Sequence, residues 1–190
     1  MEKIIDVLSN ITPLNDKDRG RMYDILNTRT LGKGEYWIRA GKKNYDIAFV
    51  DKGYLRKFYL KNGNEITDFF YFDNDFSADL PSIMTNTNPV ASIIAMHKTT
   101  LTTFSYPVFN DLCKQSLYLE HLHRRMIELS FLRFYKRSVS FILQTPAERY
   151  DDLIVSYPDV FINAAQYHIA SYLGISPQHL SRLRGQKVIS

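Results

Sequence analysis

The stretch Gln166–Arg184, QYHIASYLGISPQHLSRLR, restricts the fold more than any other part of this 190-residue chain. Its spacing predicts two short helices joined by a tight turn. Ile169, Ala170 and Leu173 give the first helix an apolar face. Gly174 supplies the left-handed backbone that ends it, and Ile175 closes the corner. Ser176-Pro177 reads as an N-cap followed by proline at the first helical position. Leu180 and Leu183 then bury the second helix against the first, and small Ala170 lets the two cross closely. Together these positions fit the register of a DNA-binding helix-turn-helix; the alternative is an ordinary αα-hairpin closing a helical domain.

Charge favours the first reading. No Asp or Glu follows Asp159, whereas Arg182, Arg184 and Lys187 lie on or just past the second helix, and a surface that meets phosphates should lack carboxylates. With Leu180 and Leu183 inward, helical geometry turns Gln178 and Arg182 to the opposite side, with Ser181 at the flank. Arginine pairs bidentately with guanine and glutamine with adenine, so these are the candidate base readers. Arg184 and Lys187 are phosphate candidates from charge alone.

A chain of 190 residues can hold one large domain or two small ones. The formal charge of +4 permits a polyanionic partner without requiring one. The single cysteine, Cys113, excludes an intramolecular disulfide framework, a Cys-ligated cluster within one chain and a Cys-rich zinc site. No apolar run approaches membrane-spanning length, and Met1–Asn10 carries Glu2, Lys3 and Asp6, so neither a membrane segment nor a signal peptide is expected. The expected location is the cytoplasm.

Glu2–Ser9 is a helix candidate that Thr12-Pro13 breaks, and Asn15 caps a second helix with Asp16 and Asp18 in its first turn. From Thr30 short β-favouring runs alternate with glycines: Tyr36–Ile38, Ile47–Val50, Tyr54–Leu60, Ile66–Phe72, Ser92–Met96 and Leu101–Tyr106. Asn62-Gly63 is a two-residue hairpin turn, and Pro81–Pro89 reads as a loop. These runs predict an antiparallel sandwich or barrel. From Val108 the pattern is helical, with Leu119, Leu122, Met126, Leu129, Leu132, Tyr135, Val139 and Ile142 stepping by threes and fours beside a second row of Phe131, Phe134 and Phe141. That stripe is wider than one barrel would cover, which leaves a face for a second copy of the chain. Thr145-Pro146-Ala147-Glu148 is a capping box that starts a new helix, and Pro158 ends it.

The order barrel, long helix, helix-turn-helix resembles the family of the cyclic-AMP receptor protein and the fumarate-nitrate regulator, dimeric bacterial transcription factors. Lys33-Gly34-Glu35, Gly41 and Gly53 carry the likeness at one end. At the other end it rests on Ala147-Glu148-Arg149-Tyr150 and on Ile169–Ser176 through Leu180-Ser181-Arg182. The resemblance implies an α+β fold. An antiparallel β-barrel or jelly roll of cyclic-nucleotide-binding type with N-terminal helices would occupy 1–107. A long dimerisation helix would span 108–144, and a helix-turn-helix (winged-helix-like) domain 145–190, with a minimal wing. It implies a homodimer through Leu122, Met126, Leu129, Leu132 and Tyr135, bound to double-stranded DNA. Gln166, Tyr167, Ser176 and His179 match phosphate-contacting positions; Gln178 and Arg182 match base-reading ones. Pro177 stands where the best-known relative has a base-reading arginine.

The ligand site is where the sequence departs from the family. Its stretches correspond to Phe76-Ser77-Ala78-Asp79 and Pro89-Val90-Ala91-Ser92; the phosphate-binding arginine is missing, and no Lys or Arg lies between Lys61 and Lys98. Ser77, Asp79, Ala91 and Ser92 are therefore candidate pocket residues for some ligand other than cyclic AMP, and an empty or closed pocket is the alternative. An unidentified small-molecule effector and RNA polymerase are the further partners left open. The cysteine count excludes oxygen sensing through a cluster, and no cofactor or metal is expected. The sequence shows no nucleophile–base pair, phosphate loop or metal spacing, so no enzyme is expected. The competing class is a ligand-binding or protein-interaction module of the same fold that no longer binds DNA.

Overall fold

The computed structural model describes the backbone of residues 1–187 and the side chains of residues 1–185. Two helices open the chain, α1 (Glu2–Ile11) and α2 (Asp16–Asp24). The strands are β1 (Asn27–Leu31), β2 (Tyr36–Ile38), β3 (Asp46–Lys52), β4 (Leu55–Lys61), β5 (Asn64–Tyr71), β6 (Phe76–Ser77), β7 (Ser92–Ala95) and β8 (Thr99–Ser105). Helix α3 (Leu80–Thr85) interrupts them, and α4 (Tyr106–Cys113), α5 (Leu117–Leu143), α6 (Pro146–Ser156), α7 (Val160–Asn163), α8 (Gln166–Leu173) and α9 (Pro177–Lys187) follow. No described helix is long and apolar enough to cross a membrane.

The strands form two four-stranded sheets, ordered β1-β8-β3-β6 and β2-β7-β4-β5. A closed barrel is not formed. Each sheet ends in edge strands of its own, and two of these, β6 and β2, are two and three residues long, too short for a ladder that would join the sheets. Pro81–Pro89 is not wholly a loop either. Pro81 sits in the first turn of α3, where its fixed φ suits a helix start, and Asn86 in the left-handed conformation ends the helix after six residues.

The chain divides into two compact units: Met1–Arg56 with Tyr71–Leu132, and Lys57–Phe70 with the residues from Arg133 onward. In the first, Ile4, Ile5 and Leu8 of α1 share a core with Met22, Ile47, Phe49, Phe104, Phe109, Leu119 and Leu122. Helix α2 is capped as its sequence dictates. Asn15 Oδ1 accepts from Asp18 NH at 2.8 Å. Ser116 separates α4 from α5, accepting from Leu119 NH and donating to Asp18 Oδ2 at 2.7 Å, so buried Asp18 is hydrogen-bonded. Burial pushes the Cys113 thiol up to about 12, which keeps it an unreactive core group.

The second unit joins Lys57–Phe70, most of the β4–β5 hairpin, to the C-terminal helices. Asn62 and Gly63 both have positive φ, 52° and 78°, as a two-residue hairpin turn requires. Thr145 and Glu148 form the reciprocal capping box that starts α6.

Candidate nucleic-acid interface

The α8–α9 pair is built around a sealed apolar side. Ile169, Ala170, Leu173 and Leu180 are at most 1% exposed, and Leu183 is buried beside them. Gly174 ends α8 at φ 70°, where Gly174 NH donates to Ser171 O and Ile175 NH to Ala170 O, the paired bonds of a Schellman turn. A Cβ at Gly174 would also lie 2.8 Å from Phe141 Cε1, so both backbone and packing demand glycine. The Ser176 hydroxyl accepts from His179 NH at 3.2 Å and so caps α9.

The opposite side is open. Gln166, Tyr167, Ser176, Pro177, Gln178, Ser181 and Arg182 are exposed, and His179 and Arg184 are half-buried. Lys187 is the last described residue of α9, and its side chain lies outside the described residues. Arg182 forms no ion pair among the described residues, and α8 and α9 contain no acid. The pair therefore presents amide, hydroxyl and guanidinium donors without a competing carboxylate.

Two arginines, Arg137 and Arg149, bond the end of α8, and a third, Arg133, braces the same unit. Arg137 of α5 lies between the rings of Phe141, 4.4 Å from its centre, and Tyr172, 3.7 Å away, and donates to the Tyr172 carbonyl. Burial lowers its pKa, partly offset by Tyr172 and Asp68; the Tyr172 phenol is pushed up, again by burial first. Arg149 of α6 donates to Leu173 O from Nε at 3.2 Å and Nη2 at 3.0 Å, and to Gln144 O at 2.6 Å. The last carbonyls of α8, the negative end of its dipole, thus receive two cations. Arg133 donates to Phe70 O at 3.0 Å and faces the rings of Phe69 and Tyr157. The hairpin tip adds Thr67 NH donating to Ser171 Oγ at 2.9 Å. Sequence reasoning missed this framework. The one local signal was Arg133 and Arg137 four residues apart within a row of phenylalanines.

The other predicted residues fall elsewhere. Ser77, Asp79, Ala91 and Ser92 are all buried in the first unit. The Ser92 hydroxyl accepts from Ala40 NH at 3.0 Å, and the Ser77 hydroxyl has no partner among the described residues. On α5, Leu122 is fully buried in its own core and Met126 packs on that core, so these two do not lie on an open face. Leu129, Leu132 and Tyr135 are 43%, 48% and 54% exposed, and Phe134 is 60% exposed.

No protein-family model matches the chain, and no curated protein sequence matches it. Solved structures do share its fold. FixK2 from Bradyrhizobium japonicum superposes with a TM-score of 0.72 at 13% identity, over 85% of this chain and 84% of that one. The catabolite activator protein of Thermus thermophilus gives 0.58 at 15% identity, over 91% and 83%. The sensor domain of the transcriptional regulator DNR from Pseudomonas aeruginosa gives 0.55 at 17% identity, over 71% of this chain and 96% of that one.

Proposed function

We propose that the chain is a sequence-specific, double-stranded-DNA-binding transcriptional regulator that acts as a homodimer and does not respond to cyclic AMP. The observation that carries this reading is the α8–α9 pair itself, sealed on its apolar side and free of acids on its open one. In this reading it is a helix-turn-helix. Gln178 and Arg182 read base edges, with Ser181 at the flank and Pro177 altering the preferred sequence. Gln166, Tyr167, Ser176, His179, Arg184 and Lys187 position the unit on phosphates. The fold shared with a catabolite activator protein and FixK2 supports the same reading.

The homodimer reading rests on Leu129, Leu132 and Phe134, large apolar side chains exposed along a 27-residue helix. Pairing through that helix would place two copies of α9 on successive major grooves, roughly 34 Å apart. Cyclic AMP fails on charge, because Ser77, Asp79, Ala91 and Ser92 bring no cation to a buried phosphate.

A mobility-shift titration with genomic DNA fragments over a salt series tests the reading. Binding should weaken steeply as salt rises. Absence of any shift at low salt would instead favour a protein-interaction module of the same fold. Calorimetry with cyclic AMP should detect no micromolar binding.

A further inference from the structure

The first unit carries an open cleft of about 730 Å³ whose walls include Arg29, Tyr36, Trp37, Arg39, Lys42 and Lys43. None of its four cations forms an ion pair among the described residues. Two lie over aromatic rings instead, Arg39 at 4.3 Å from the Tyr36 centre and Arg29 at 5.6 Å from that of Trp37. Lys43 Nζ is fixed by Asn86 Oδ1 at 3.0 Å. The one acid on the walls, Glu35, uses its carboxylate to accept from Gly32 NH at 2.7 Å. Asp46 on β3 feels the charge of Arg29 but makes no ion pair with it among the described residues, and it does not line the cleft.

Crowding four like charges around one concavity costs free energy unless a counter-anion fills it. A ring contact engages the face of a guanidinium rather than its N–H donors, and two such donors match phosphate oxygens two at a time. Beneath them Trp37 is 3% exposed and its Nε1 is buried without an acceptor among the described residues. The volume lies within the range of small-ligand pockets, about 300–1,000 Å³, which argues for a compact anion rather than a flat partner surface. We propose that this cleft, whose lining does not include Ser77, Asp79, Ala91 or Ser92, binds a small anion carrying two or more phosphate groups, independently of DNA binding.

Trp37 is the chain's single tryptophan, so its fluorescence reports on the cleft directly. The full chain is titrated with inorganic tripolyphosphate at fixed ionic strength, with calorimetry alongside. Saturable binding is expected, weakened at least about tenfold in Arg39→Gln/Lys42→Gln and in the single variant Lys42→Glu. Lys17→Gln/Lys114→Gln, which removes equal charge elsewhere, should bind as the parent does. All these positions except Lys17 and Lys114 line the cleft, and circular dichroism establishes that each variant is folded. No saturable response overturns the proposal. So does equal weakening in both double variants, which marks a general charge effect. Hexaglutamate binding as tightly as tripolyphosphate also overturns it, since that marks a surface for acidic peptides.

Discussion

Arg137 places its guanidinium 3.7 Å from the ring centre of Tyr172 and donates to that residue's own carbonyl oxygen. One side chain of α5 thereby engages both the ring and the carbonyl of one residue near the end of α8. Arg137→Met keeps the apolar stem but removes the stack and the donor, leaving a buried carbonyl short of a partner. It should cost about 1–3 kcal/mol of stability in urea unfolding. Arg137→Lys should recover little, because an ammonium cannot lie flat between two rings. Full recovery by lysine would show that charge alone matters.

Gly174 is constrained twice, by its φ of 70° and by Phe141 2.8 Å from a would-be Cβ. Gly174→Ala should lose at least about 1–2 kcal/mol from the backbone alone. Phe141→Leu should relieve the contact but not the backbone term, so Gly174→Ala should cost less in the Phe141→Leu background than in the parent by thermal unfolding.

In the proposed function, base reading and phosphate contact fall to different residues of α9. Arg182→Ala should cost roughly 1–3 kcal/mol at a selected site and relax sequence preference, while Lys187→Ala should weaken all sequences about equally. Competition binding against mutated sites distinguishes the two. A variant Arg182→Ala that still binds its site intact would mean that α9 is read in the wrong register.

Leu129 is 43% exposed on α5, so an acid there need not disturb the core. Leu129→Asp should give monomers with weak DNA binding. Light scattering measures the mass, and an unchanged mass would refute the pairing helix.

His123 tests the first unit. Its ring packs on Phe109, its Nε2 lies 3.2 Å from Tyr106 Oη, and burial lowers its pKa below the usual 6.5. The unfolded chain therefore takes up the proton first as pH falls, so stability is full above about 6.5 and declines below it toward the folded value. His123→Phe should remove that part of the decline. Urea unfolding of parent and variant between pH 7.5 and 5, both pH values set by the ordinary histidine range of about 6.5, measures the difference. Identical slopes would contradict it.

Much of this organisation was legible in the sequence because it is local. The capping box at Thr145, the Asn15 cap, the Asn62-Gly63 turn and the Gly174 corner are each decided within a few residues. What escaped depends on contacts between distant residues. Thr67 meets Ser171 across 104 positions, and no periodicity announces that a hairpin tip belongs with the C-terminal helices. Leu122 shows the limit of stripes: spacing places it with Leu129, yet only packing reveals that it faces its own core. The basic cleft was invisible for the same reason, since Arg29 and Lys42 come together only once β1 and β2 are folded.

In the proposed function, the α8–α9 units of two copies read DNA as a symmetric pair. Selection of bound duplexes from a random library, with and without cell extract, separates that reading from its alternatives. Enrichment of a two-fold symmetric motif, lost with Arg182→Ala, is the predicted result. No enriched sequence in either arm would contradict it.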